Sequence, residues 1–450
     1  MTIVIAGERS GVGKTTITLS ILATMVSYQK RIQSFKVGPD YIDPMYHSQI
    51  TKLPCRNLDP VITSEQYVID CFYRYNNEYS LIEGVMGLFD GMSGGDDFGS
   101  TAHISKLLKV PIVLVVDCRS ISRSLAALIH GYNTFDPDVK ITGVIFNYLA
   151  SERQLEILEQ AILPLHIPIL GRFWRNEDIK IPDRYLGLVP TDEMDNLTKL
   201  TDRLVSVGKA CLDWDLLLPL LASPKDKLDS ISLPSTVKVA VARDKAFNFY
   251  YHDNFDLLER AGIALYFFSP CADSALPLDI DGLYFGGGFP ELFAEELAAN
   301  VTLLDQLRNL IRSGIPTYGE CGGLMYLSEG ITDFNLCFYP LVNILPTRAI
   351  MTGKLTLGYR LATVETSSFL CYKGEKFQGH EFHRSVLSRL DDPPLFTLQR
   401  FNSKLPTTKE GWSVLNVHAS YLHLHFGNKP EVIDRFSRSC LAYRNNVQRQ

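Results

Sequence analysis

Residues 7–16 read Gly-Glu-Arg-Ser-Gly-Val-Gly-Lys-Thr-Thr, directly behind the apolar run Thr2-Ile-Val-Ile-Ala6 and directly ahead of a stretch with Ile17, Ile21, Leu22, Met25 and Val26 at helical spacing. A strand, a glycine-rich turn and a helix in that order form an anion cradle. The backbone N–H groups of the turn, at Gly11 and Gly13 among others, and the helix N-terminus face the phosphates of a nucleotide. Lys14 adds a point charge, and the hydroxyl of Thr15 or Thr16 can reach Mg²⁺. The first glycine of the strict GxxxxGK[ST] pattern is replaced by Glu8, so the loop is a variant. Around it, runs at 2–6, 80–85, 111–117 and 141–147 alternate with amphipathic stretches, as in an α/β domain built on a mostly parallel sheet.

Nucleotide binding alone does not separate a switch from a synthetase, so the carboxylates near the loop matter. Phe35-Lys-Val-Gly-Pro-Asp-Tyr-Ile-Asp-Pro44 places Lys36, Asp40 and Asp43 on a loop behind a strand, and Glu83 ends another within Glu83-Gly-Val-Met-Gly-Leu-Phe-Asp90. Ligands of open α/β sheets bind beyond the carboxyl ends of the strands. Acids there can hold Mg²⁺ against a transferred phosphoryl group, and a lysine can neutralise its charge. Asp117 also ends an apolar strand, and reads either as a further metal-side carboxylate or as a strand-end cap.

Between 218 and 236 the pattern breaks into a polar, proline-containing stretch. The expected division is a phosphate-loop domain at 1–222, a linker at 223–235 and a second α/β domain at 236–450, with strands at 237–243, 264–269, 282–286 and 317–320. In the second domain Glu320-Cys-Gly-Gly323 follows a strand and precedes a helix, the arrangement of a nucleophile elbow, where a sharp turn exposes the Cys321 sulfur and a helix N-terminus favours its thiolate. Gly286-Gly-Gly-Phe-Pro-Glu291 supplies unhindered N–H groups, at Gly287 and Gly288, for an oxyanion hole. His418-Ala-Ser-Tyr-Leu-His-Leu-His-Phe426 offers a base. Strand alternation puts His423 and His425 on one face, so spacing does not choose between them.

Composition excludes several classes. In 450 residues, 46% are hydrophobic and 21% charged, which suits large buried cores, and acids outnumber bases 50 to 44, so no basic field for nucleic acid is present. The nine cysteines are scattered and form no CxxC pair, against both a disulfide framework and a structural zinc site. Neither a leader at the first residues nor an apolar run of membrane-spanning length is expected, and the reading is a cytoplasmic protein without a membrane or nucleic-acid partner.

The phosphate loop together with FKVGPDYIDP, EGVMGLFDG, GGGFPE, ECGGLMYL and SYLHLHF resembles the family of cobyrinate a,c-diamide synthases over nearly the whole chain. The resemblance implies a dethiobiotin synthetase-like phosphate-loop domain and a class I glutamine amidotransferase domain of the cobyrinate and cobyrate synthase type. It places the family's nucleophile on Cys321 and its histidine on His423. Nucleotide and metal residues fall on Lys14, Thr15, Lys36 and Glu83, and substrate-side acids on Asp40, Asp43 and Asp90. The family lacks the third, acidic member of the amidotransferase triad, so no acid is assigned to His423. The implied reaction uses ATP, Mg²⁺ and L-glutamine to amidate the a and c acetate carboxylates of cobyrinate through an acyl phosphate. Similar enzymes act on nickel-sirohydrochlorin or hydrogenobyrinate, and the motifs do not separate these acceptors. A homodimer is compatible with the resemblance. The other class of function, a partitioning or switch ATPase with a phosphate loop, leaves Cys321 and His423 unexplained.

Overall fold

A computed structural model describes residues 2–176, 179, 181–184, 187–194, 196–223, 234, 237–401 and 405–447. The chain divides into two compact units, Met1–Pro60 with Ser64–Asp229, and Val61–Thr63 with Ser230–Gln450. The stretch expected as a linker, 223–235, lies outside the described residues apart from Ser223 and Pro234.

In the first unit β1 (Ile3–Gly7), β2 (Ile32–Val37), β3 (Arg56–Leu58), β4 (Tyr79–Glu83), β5 (Ile112–Asp117), β6 (Ile141–Leu149) and β7 (Ile169–Trp174) form one parallel sheet in the order β3-β2-β4-β1-β5-β6-β7. Every residue of β1 and β5 is buried. Strands covered on both faces read as unbroken apolar runs, which is how these two are visible in the sequence. From β1 the chain steps out to β2, returns to β4, and crosses β1 to continue at β5. The carboxyl ends of β2, β4 and β1 therefore lie side by side, and their loops open at one switch point. Helices α1 (Lys14–Ser27) and α2 (Ile42–Thr51) start from the loops behind β1 and β2. The strand expected at 80–85 ends at Glu83: Gly84 N makes the last bond to β1, donating to Ile5 O at 2.9 Å, and Val85 N then turns to the Thr101 hydroxyl at 2.9 Å.

The second unit contains β8 (Val237–Ala242), β9 (Ile263–Phe268), β10 (Gly282–Phe285) and β11 (Thr317–Glu320), a ribbon of β12 (Leu345–Val364) and β13 (Lys376–Leu387), and then β14 (Trp412–Val414), β15 (Val417–Ser420) and β16 (His423–Leu424). Its main sheet has the order β9-β8-β10-β11-β15-β14, parallel except for the edge strand β14. The ribbon belongs to a second sheet in which β13 pairs with both β12 and β16. It is not among the elements expected from sequence. Much of β12 is exposed on one face, with Leu345, Thr347 and Ala349 buried and Pro346 and Arg348 exposed, so it lacks the apolar runs that mark the parallel strands. Among the described residues no helix is long and apolar enough to cross a membrane.

Candidate active sites

The turn behind β1 is held in shape from β6. Asn147 donates to Val12 O at 2.8 Å, and Gly13 sits at φ 93° with its α-carbon so close that an added Cβ would come within 2.2 Å of the Asn147 amide. Only glycine satisfies both conditions. Gly11, at φ 77°, faces open space, and Thr16 is half-buried with its carbonyl accepting from Ser20 at 2.8 Å. Lys14 Nζ donates to Met86 O at 2.5 Å and Arg9 O at 3.4 Å. Burial, with Lys36 nearby, lowers its pKa to about 8.

The three neighbouring strand ends converge on one carboxylate. Glu83, fully buried at the end of β4, accepts from the Thr15 hydroxyl at 2.6 Å and from Lys36 Nζ at 2.9 Å through Oε1, and lies 2.7 Å from His47 Nε2 through Oε2. Asp43 Oδ2 lies 2.5 Å from Lys36 Nζ and 3.2 Å from the Thr15 hydroxyl. Asp40 caps the start of α2, its Oδ1 accepting from Ile42 N at 2.8 Å and Asp43 N at 3.2 Å, with Oδ2 3.9 Å from Lys36. Burial opposes charge on Lys36, but Asp43 and Glu83 outweigh it and hold the ammonium ionised. Burial likewise opposes ionisation of Glu83, and Lys36, His47 and Thr15 reverse this, keeping it well below the usual carboxylate range. Asp43, with less compensation for burial and with Asp40 beside it, is raised to about 7. Two carboxylates and a hydroxyl are hard oxygen donors, a set that fits a cation such as Mg²⁺ completed by phosphate oxygens and water.

Asp117, left open above, is held by arginines: Arg119 Nη2 donates to it at 2.6 Å and Arg9 Nη2 at 2.7 Å. The carboxylates that meet Thr15 are Glu83 and Asp43. Asp90 is exposed, and its Oδ2 accepts from Gly87 N at 2.9 Å. His47 was missed from sequence, although its spacing of four from Asp43 along α2 puts both on one helix face.

In the second unit Cys321 occupies φ 46°, ψ −98° between β11 and α3 (Gly322–Leu327). This strained corner is characteristic of a nucleophile elbow. Its N–H donates to Ser420 O at 2.7 Å, and its Sγ lies 3.7 Å from Phe382 O on β13. A Cβ on Gly322 would meet Gly288 N at 3.2 Å, and one on Gly287 would meet His423 Cε1 at 2.5 Å. The turn at Cys321 and Gly322, the glycine loop and the His423 ring are thus packed in sequence against one another. The loop is anchored by Tyr250, whose hydroxyl accepts from Gly286 N at 2.8 Å, and by Gly323 N donating to Gly286 O at 3.0 Å.

The resting charges differ from the thiolate expected above. Burial pushes the Cys321 thiol well above its ordinary range, with Glu291 and Glu320 adding to the effect, and α3 has only six residues with which to oppose it. Burial also lowers His423 to about 3, aided by His380 and His383. The pair is therefore a neutral thiol and a neutral imidazole.

The two histidines that spacing left equivalent have different surroundings. β16 ends at Leu424, and His425 turns out of the ladder to lie 3.6 Å from Asp253 through Nε2 while its Nδ1 accepts from Gly427 N at 3.1 Å. His423, opposite His380 in the β13 register, has Nδ1 3.9 Å from Glu320 Oε2. Glu320, and the Glu381 that pairs with Arg360 at 2.5 Å on the ribbon beside Phe382, were not singled out from sequence. Glu320 adjoins Cys321 in the chain, but its approach to His423 depends on strand pairings 104 residues apart, as the Leu424 N to Glu320 bond shows.

Residues 3–189 match the CobQ/CobB/MinD/ParA nucleotide binding domain, and residues 238–431 the CobB/CobQ-like glutamine amidotransferase domain. Cobyrinate a,c-diamide synthase from Synechocystis sp. is 50% identical, the match spanning 99% of this chain and 95% of that protein. The enzyme of the same name from a Synechococcus strain is 51% identical over 98% of each chain, and that from Gloeobacter violaceus is 42% identical over 98% of this chain and 97% of its own.

Proposed function

The chain belongs to the cobyrinate a,c-diamide synthase family and is a glutamine-dependent ligase of cobalamin biosynthesis; from that premise we propose that each carboxylate is activated as an acyl phosphate in the first unit and that Cys321 and His423 release the ammonia in the second. The observation that supports this reading is the separation of labour: the phosphate loop, Thr15, Lys36 and Glu83 gather in one unit, and in the other the turn after a strained, buried cysteine packs on the glycine loop that meets the His423 ring.

In the synthetase half, the backbone N–H groups of 11–16 and Lys14 bind the phosphates of ATP. Thr15 and Glu83, with Asp43 beside them, would hold Mg²⁺, which neutralises charge on the phosphates when bound. Lys36 keeps Glu83 ionised and adds a positive charge next to the transferred phosphoryl group. An oxygen of the substrate carboxylate attacks the γ-phosphorus as the bond to ADP breaks. Ammonia then adds to the acyl carbon, and phosphate leaves. Asp40 and Asp90 carry negative charge toward a polyanionic acid, so their better use is to accept protons from the incoming ammonia.

In the glutaminase half, His423 takes the Cys321 proton as sulfur attacks the side-chain amide of glutamine. The N–H groups of Gly287 and Gly288 receive the oxyanion, and His423 returns the proton to the departing ammonia. Water then hydrolyses the thioester to glutamate.

With the carboxylates of cobyrinate enriched in oxygen-18, one labelled oxygen should appear in inorganic phosphate for every amide formed. Unlabelled phosphate alongside amide would rule out the acyl phosphate. Parallel incubations with nickel-sirohydrochlorin and hydrogenobyrinate should yield less amide than cobyrinate.

A further inference from the structure

We infer that Glu320 is the carboxylate that orients His423 for proton exchange with Cys321, in place of an acid farther along the histidine's own strand. The inference rests on Cys321 and His423 being the glutamine-hydrolysing pair. The site needs such a group. Moving a proton from a neutral thiol to a neutral imidazole creates two charges in a buried place, and an imidazolium there is costly unless a counter-charge faces it. His425, two positions beyond His423, is committed to Asp253 and Gly427.

Glu320 is built to supply the charge. It is 2% exposed at the end of β11, so one strand end presents both the carboxylate and the nucleophile. Its Oε1 accepts from the Tyr318 hydroxyl and from Leu424 N at 3.0 Å, and its Oε2 accepts from the Tyr284 hydroxyl at 3.4 Å. Three donors fix the carboxylate and favour its ionised form. The bond from Leu424 ties it to the residue that follows His423 and so fixes the carboxylate relative to β16. Oε2 lies 3.9 Å from His423 Nδ1, long for a hydrogen bond and within ion-pair range, the loose geometry of a catalytic contact before substrate tightens it. Burial raises the Glu320 carboxyl to about 7, and a positive charge arising on His423 draws it to full ionisation.

In the step itself the Cys321 proton passes to His423 Nε2 as sulfur bonds the amide carbon. The imidazolium presents Nδ1–H to Glu320. The proton then moves from Nε2 to the amide nitrogen, the C–N bond breaks and ammonia leaves. Facing the imidazolium, Glu320 is ionised and takes no proton from it, the part a positioning carboxylate plays in a hydrolase triad.

Glu320→Gln keeps acceptors for Leu424 and Tyr318 and removes the charge. Glutamine-dependent kcat should fall roughly a hundred-fold or more with little change in glutamine KM, while ammonia-dependent amidation persists. A merely structural role would also slow the enzyme, so the deciding readout is a double-mutant cycle on alkylation of Cys321 by iodoacetamide, followed at the Cys321 peptide by mass spectrometry. Glu320→Gln should slow alkylation when His423 is present and should not slow it in His423→Ala, where losing a negative charge beside the thiol favours the thiolate. Equal slowing in both backgrounds would overturn the inference and leave Glu320 as a support for the Cys321 turn. So would a glutamine-dependent kcat within about three-fold of the parent. Cys321→Ala is run alongside: surviving glutamine-dependent activity there would overturn the pair assignment, and this inference with it, by a result distinct from the other two.

Discussion

His47 Nε2 lies 2.7 Å from Glu83 Oε2, behind the carboxylate whose other oxygen accepts from Thr15 and Lys36. With Glu83 on the metal side, as proposed, a buried histidine in that position would fix the direction of the carboxylate, and such outer partners are typically worth about 10- to 100-fold in metal affinity. His47→Ala should raise the Mg²⁺ concentration for half-maximal ADP release by a factor of that order. His47→Gln, which keeps an N–H donor, should lose less. An unchanged Mg²⁺ titration in His47→Ala would show that Glu83 needs no such support.

Lys14 and Glu83 act on the nucleotide side alone in the proposed mechanism. Lys14→Ala or Glu83→Gln should therefore abolish amide formation with glutamine and with free ammonia alike, as measured by product mass and ADP release. Full activity with either nitrogen source would remove the residue from the ATP site.

For the histidines, the ring packed against Gly287 and the ring paired with Asp253 predict opposite phenotypes. His423→Ala should lose glutamine hydrolysis with little change in ammonia-dependent turnover. His425→Ala should keep much of its hydrolysis and instead lower thermal stability, by about 1 kcal/mol for the lost hydrogen bond. Glutamate release assays and melting curves on the two variants separate the roles, and the reverse pattern would exchange them.

The first unit was legible in the sequence because its chemistry is local. Strand, phosphate loop and helix follow one another without a break, and Lys36, expected on a loop but placed within β2, is followed closely by Asp40 and Asp43 at the loop and helix start behind that strand. What escaped there was His47, which reads as an ordinary polar position on α2 until β4 brings Glu83 against it. The second unit was legible at the strained turn where Cys321 lies between β11 and two glycines, but less so elsewhere. The choice between His423 and His425 depends on where β16 stops, and the role of Glu320 on tyrosines from β10 and β11 and an amide from β16. The ribbon that brings Phe382 to Cys321 carries exposed residues along much of its length and lacks the unbroken apolar runs that mark the parallel strands.

Glu410 gives a pH prediction. Its carboxylate accepts from the Ser420 hydroxyl at 2.6 Å and from Tyr421 N at 2.7 Å, fastening the turn that leads from β15 to His423. Burial nevertheless raises its pKa from 4.5 to about 8. The folded state therefore holds a proton that the unfolded chain releases, so this group's contribution to stability falls as pH rises from about 4.5 and levels off above about 8. Glu410→Gln has no proton to lose. The melting temperature of the variant minus that of the parent should increase steadily across this interval, and a flat difference would show that Glu410 is ionised in the folded protein throughout.

The two-unit mechanism predicts that removing the sulfur separates the activities. Cys321→Ser and Cys321→Ala leave the phosphate loop untouched, so glutamine should fail as donor while free ammonia still supports ATP-dependent amidation. Unprotonated ammonia is the species that attacks the acyl phosphate, so the rescue should grow with pH as the solution approaches the pKa of ammonium, over the range in which the protein stays folded. ATP turnover in these variants should depend on ammonia and be indifferent to glutamine. Loss of both activities would point instead to a structural cysteine. Cys321 is 3% exposed and sits in a strained turn, so either replacement could also disturb packing. The comparison is therefore made on variants whose cooperative thermal transition matches that of the parent, and in them amidation from ammonia without amidation from glutamine is the outcome that assigns the sulfur to glutamine hydrolysis.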